Sequence, residues 1–119
     1  GLTEQAAECL VHKTENSHPN HRFPAYWGPN FDWTPDQNHG GNLLTTLQNM
    51  VLQSHGNSVY LLPAFPERWN IRFRLHTRGG GIAEGSYRNG KWETEPTLKG
   101  ASRYTLKSVP GCERAREIE

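Results

Sequence analysis

At 119 residues the chain has the size of one ordinary domain. Thirteen Lys and Arg against twelve Asp and Glu leave a formal charge of +1, too small to build the field that draws nucleic acid or an anionic lipid surface. No run approaches the roughly 18 continuous apolar residues of a membrane-spanning helix, and no heptad, collagen-like or low-complexity pattern is present, which excludes those classes and a wholly disordered chain.

Apolar residues make up 34%, with 12 Gly and 8 Pro, so a small packed core with frequent turns is expected. The chain opens on Gly1 without a basic and apolar leader, which reads as a processed or excised piece carrying no signal peptide. Cys9 and Cys112 sit near opposite ends. One bridge and two separate thiols are both open, and a Cys-x-x-Cys metal pair is absent.

In chain order, residues 3–13 predict a short helix. Thr3 is its candidate cap, and Ala6, Leu10 and the Ala7/Val11 pair recur at helical spacing. A second helix is predicted from an Asn42 N-cap to a stop at Gly56. Leu43, Leu44, Leu47, Met50 and Val51 form its apolar stripe, wide enough to pack on both flanks.

Strand patterns follow. Residues 58–63 are β-branched, aromatic and apolar, and residues 71–77 alternate strictly, with Arg72, Arg74 and His76 opposite Ile71, Phe73 and Leu75. Gly79, Gly80 and Gly81 precede a strand at 82–87, and Asn89-Gly90 is a hairpin turn whose two positions need positive φ. Strands at 91–94 and 102–109 complete an antiparallel β module, a sheet or half of a sandwich. Arg72, Arg74 and Arg78 are expected to be solvated or paired with Glu84 and Glu93.

Between the helices, residues 14–41 hold four Pro, three Gly, three His and five aromatics with no sustained period. A stretch of that length without regular structure is uncommon in a small domain and points to a functional loop or a missing element. It brings Tyr26, Trp27, Phe31 and Trp33 together with Asn30, Asp32, Asp36, Gln37, Asn38 and His39. Aromatic faces stack on the C–H faces of sugar rings, and carboxylates and amides hydrogen-bond their hydroxyls. A carboxylate held by amides can also activate water as a general base. A single-stranded nucleic-acid site would want Arg and Lys among the aromatics, and only Arg22 is near. The competing reading makes the aromatics the loop's own core and the Asp and Asn side chains turn caps.

Other chemistries fit less well. His18, His21 and His39 with Asp36 match no standard zinc spacing. No Gly-x-Ser-x-Gly elbow supports a Ser/His/Asp triad. The Gly79–81 run leads into a strand, with no helix N-terminus to hold a phosphate.

Half of the chain also resembles a known family. The resemblance rests on Leu-Gln-Asn-Met-Val-Leu-Gln-Ser-His-Gly at 47–56 and Val-Tyr-Leu-Leu-Pro-Ala-Phe-Pro at 59–66 with Trp69. Leu-His-Thr-Arg-Gly-Gly at 75–80 and Asn-Gly-Lys-Trp at 89–92 continue it. In this order the segments are similar to the C-terminal part of glycoside hydrolase family 95, the inverting α-L-fucosidases and α-L-galactosidases. The block at 27–41 resembles related bacterial proteins.

The resemblance implies an α+β chain: the last helices of an (α/α)6 barrel with a site loop at 1–56, then an antiparallel sheet or sandwich module at 57–119. It implies hydrolysis of α-L-fucosidic or related bonds by inversion, with Asp36 as catalytic base. A gapless alignment sets Asn38 opposite the family's Asp. Substrate would be bound by Trp27, Asn30, Asp32, Trp33, Asn38 and His39, without metal or cofactor. An inverting hydrolase needs an acid and a base roughly 6.5–9.5 Å apart, and the family's acid lies upstream, so this chain is expected to be inactive alone. Its implied partners are a glycan and the upstream catalytic domain of the same polypeptide, with no nucleic acid or membrane. Its implied location is periplasmic or secreted, in a bacterium. The alternative is a non-catalytic carbohydrate-binding or structural β module.

Overall fold

A computed structural model describes residues 2–15, 37–100, 104–108 and 116–117. Among them lie two helices and seven strands, a mixed α+β fold in which the helices come first. The strands form a four-stranded sheet of order β1-β2-β6-β7 and a three-stranded sheet of order β3-β4-β5.

Helix α1 spans Thr3–Glu15, with Glu4 in its first turn and His12 and Lys13 in its last. The Glu4 and Lys13 charges oppose the partial charges of their helix ends. Thr3 is not the cap: the first helical bond runs from the Ala6 amide to the Leu2 carbonyl at 2.9 Å, so Leu2 holds the capping position. The Thr3 hydroxyl is buried with no partner among the described residues. Ala7 is fully buried, and α1 packs on α2.

Helix α2 spans Gln37–Val51, starting six residues before the Leu43 that an Asn42 cap predicts and ending five before Gly56. Gly40 and Gly41 lie inside it. Each weakens a helix by about 1 kcal/mol relative to Ala, which the cooperative helix over the following turns offsets. Asn42 is an interior residue whose carbonyl accepts the Thr46 hydroxyl at 2.8 Å. The apolar stripe does not pack on both flanks. Met50 and Val51 are buried and Leu47 is half-buried against the core, but Leu44 is 60% exposed.

The helix stops at Val51 because residues 52–55 pair as a strand. Strand β1, Leu52–His55, is antiparallel to β2, Ser58–Leu61, through a two-residue turn. Gly56 supplies φ 55° at its first position, as a type II′ turn requires. The expected domain division at 56/57 therefore falls inside this turn. The orphan carbonyls at the end of α2 are taken up by the chain leaving β2. The Leu62 amide donates to Val51 O at 2.7 Å and the Ala64 amide to Met50 O at 3.3 Å.

Strands β3 (Ile71–His76), β4 (Ile82–Arg88) and β5 (Lys91–Lys99) form an antiparallel meander. The hairpin turn carries Asn89 at φ 52° and Gly90 at φ 76°, as the Asn-Gly pair predicts. Strand β5 is longer than the 91–94 expected, because irregular pairing lets it pass Pro96. Glu84 pairs with Thr97 and Ser86 with Thr94, leaving Gly85 opposite two residues, and Pro96 occupies that bulge.

Strand β6, Thr105–Ser108, runs parallel to β2, and β7, Arg116–Glu117, is antiparallel to β6. The module is thus not purely antiparallel. The long path through β3, β4 and β5 brings β6 back in the direction of β2, where the Thr105 amide also donates to Asn57 O at 2.7 Å. The core draws on both sheets: Leu52, Val59, Leu61 and Leu106 from one, Phe73, Ala83 and Tyr87 from the other, with Val51, Leu62 and Phe65. Trp92 packs edge-on to Phe73 and Tyr87, at ring separations of 6.1 and 5.2 Å, and Trp69 packs edge-on to Phe65 at 5.7 Å.

Candidate functional site

Of the residues expected to bind a sugar, Asn38 and His39 fall in the first turn of α2. Trp27, Asn30, Asp32, Trp33 and the candidate base Asp36 lie outside the described residues, as does Cys112, whereas Cys9 is an exposed thiol on α1. The amides of the first helical turn have no intrahelical acceptors and carry a partial positive charge, an environment suited to a carboxylate or to hydroxyl oxygens. Asp36 immediately precedes that turn in the chain. Gly40 and Gly41 follow it, and among the described residues no atom outside the helix's own nearby backbone lies within 4 Å of where a Cβ would stand on either. Gly41 is exposed and Gly40 half-buried, so the helix has room for a side chain at both positions.

Most described rings of the β module are turned inward, while Tyr60 on β2 is half-buried with the Lys107 ammonium 5.8 Å from its ring centre. Phe65, Phe73, Tyr87, Trp69 and Trp92 are packed into or against its core.

Two open grooves lie among the described residues. The first lies on the three-stranded sheet, among Arg72, Arg74, Glu84, Ser86, Glu93 and Lys99. Its charges are largely matched. Lys99 hydrogen-bonds Glu84, with Arg74 Nε 3.8 Å from the same carboxylate. Glu93 accepts the Ser86 hydroxyl at 2.8 Å and lies 3.9 Å from Arg88 Nε. The Lys99 ammonium, by hydrogen bond and charge, holds the Glu84 carboxyl below its usual range, with partial desolvation opposing and Arg74 and Arg72 assisting. The expected pairing of this arginine face with Glu84 is present through Arg74; Glu93 pairs with Arg88 instead.

The second groove, about 1010 Å³, runs between β1 and β3 and is lined by Ser54, His55, Arg74, His76 and Arg78, with amides from Gln48, Asn49 and Gln53. Sequence reasoning missed it because Gln-Ser-His was assigned to a helix end. The signal available was the alternating Arg72, Arg74, His76 face. Among the described residues no three His, Cys, Asp or Glu come together as a metal site, and no helix is long and apolar enough to cross a membrane. No protein-family model, curated protein or solved structure matches the chain.

Proposed function

We propose that this chain is the C-terminal part of a carbohydrate-active hydrolase of the family-95 type, contributing one half of an inverting site. In this reading α1 and α2 are the last helices of an (α/α)6 barrel. Asp36 is the base that deprotonates the attacking water, and Trp27 and Trp33 shape the sugar subsite with Asn30, Asp32, Asn38 and His39. The acid that protonates the leaving oxygen comes from upstream.

The observation that supports the reading best is the uncovered surface of α2. Leu44 is 60% exposed on the same helix that bears the exposed Gly41. An apolar side chain and an exposed glycine on one helix suit a surface meant to meet further protein and a ligand. The direct passage of α2 into β1 suits a barrel joined to its β module without a linker.

The test is Asp36→Asn in the full-length protein, assayed on an aryl α-L-fucoside. General-base catalysis typically contributes about 10²–10⁴-fold, so turnover is expected to fall at least a hundredfold with the melting temperature unchanged. Turnover near the parent level removes Asp36 from the mechanism. Sugar binding without hydrolysis by the full-length parent replaces the hydrolase with a binding module.

A further inference from the structure

The β1–β3 groove joins two strand edges with a cluster of basic side chains. Among the described residues β1 is an outer strand of one sheet and β3 an outer strand of the other, and both border the same cleft. An outer strand leaves alternate N–H and C=O groups unpaired along its free side. Apolar Leu52 and Leu75 contribute to the lining, and imidazole and guanidinium groups surround it. No Asp or Glu is among its described lining residues. The carboxylate nearest in the sheet, Glu84, is engaged by Lys99 and Arg74. His55, His76 and Arg78 are exposed, and among the described residues none of the three has an ion pair.

We infer that this groove is a docking site for an extended acidic peptide segment of a partner protein, added as a strand along β3. The main chain of the peptide pairs with the free side of β3, and its alternate carboxylates meet His76, Arg78 and His55. The groove follows the chain from Arg74 to Arg78, and at about 3.3 Å per residue that stretch seats the central residues of a short extended peptide. Strand addition combined with side-chain reading is an established way for sheets to bind peptides. Charge complementarity selects an acidic segment. The absence of described aromatic side chains from the lining argues against a single-stranded nucleic acid or a stacked sugar. The site is separate from the sugar candidates on α2, so its fate is independent of the hydrolase reading.

The experiment uses the full chain and a fluorescent hexapeptide alternating Glu and Val, followed by anisotropy at low and high salt. Saturable binding is expected, weakened by salt. It should weaken at least tenfold in the His76→Ala/Arg78→Glu variant, whose changes are at exposed positions and should leave the melting temperature unaltered. The same peptide with proline at alternate Val positions keeps its charge but loses backbone donors, and it should fail to bind. Equal binding of the proline peptide, or of a sulfated glycan competing at the same affinity, overturns the proposal in favour of a plain anion patch. No binding of the alternating peptide at millimolar concentration overturns it outright.

Discussion

Trp92 and Ser108 join the two sheets by a hydrogen bond, the indole Nε1–H donating to the serine hydroxyl at 2.9 Å. Ser108 is buried on β6, and Trp92 packs on Phe73 and Tyr87 from β5. The bond fixes the indole's orientation while its ring fills the space between the sheets. Ser108→Ala leaves a part-buried donor without its acceptor, a loss of about 1–3 kcal/mol. Urea unfolding should show the midpoint falling with an unchanged slope. Trp92→Phe in the Ser108→Ala background should add less than it does in the parent, because the orphan donor is gone. Additive losses would show that the bond contributes nothing.

Gly85 faces Phe73 across the β3–β4 pair and lies opposite the Pro96 bulge. A Cβ there would stand 3.3 Å from the Phe73 ring and 3.3 Å from the Pro96 Cα. The ring can turn aside, but the proline backbone is held by the pairs on either side of it. Gly85→Ala is therefore expected to destabilise by about 1–3 kcal/mol, the range for an overpacked interior. A thermal melt equal to the parent's would show that β5 moves away freely.

Tyr87 is almost fully buried, and its hydroxyl has no hydrogen-bond partner among the described residues. Burial, followed by the charge of Glu67, pushes its phenol above the ordinary 10.0. Above that pH the unfolded phenol ionises while the native one stays protonated, so the unfolded state gains. The stabilising contribution is whole below pH 10 and is lost as pH rises through the native value. Tyr87→Phe should be neutral or more stable by up to about 1 kcal/mol at pH 8. It should also lose less stability than the parent between pH 9 and 11, read by urea unfolding at each pH. A variant destabilised at pH 8 would mean that the hydroxyl has a partner.

The strands were legible where local chemistry and tertiary demand agree. Ile71 to His76 alternate because one face meets the core, and Asn89-Gly90 turns because both residues tolerate positive φ. The errors fall where neighbours decide. Leu52 to His55 read as helix because Leu47, Met50 and Val51 continue the helical stripe, yet the Gly56 turn and the partner at 58–61 claim them for a sheet. Leu62 stands at φ 60°, an uncommon place for a buried leucine, and only its bond to Val51 and its place in the core account for it. The parallel pairing of β2 and β6 depends on a return path through three strands that no local pattern encodes. Of the sugar candidates, Asn38 and His39 are placed on α2, and the others fall outside the described residues. The β1–β3 groove was hidden because its walls come from strands about twenty residues apart in the chain.

Gly41 offers a test that separates helix stability from function. It sits inside α2 with open space where a methyl would project, so nothing described in the chain requires a glycine there. Gly41→Ala should stabilise the isolated chain by about 0.5–1 kcal/mol, the usual difference in helix propensity. If the bare backbone is a surface for a sugar or for the upstream barrel, the same change in the full-length protein fills that space. Activity on the aryl fucoside should then fall at least tenfold while the β module's stability is untouched. A variant more stable in both settings and fully active would mean that the α2 backbone faces only water. The uncovered helix would then no longer support a shared site.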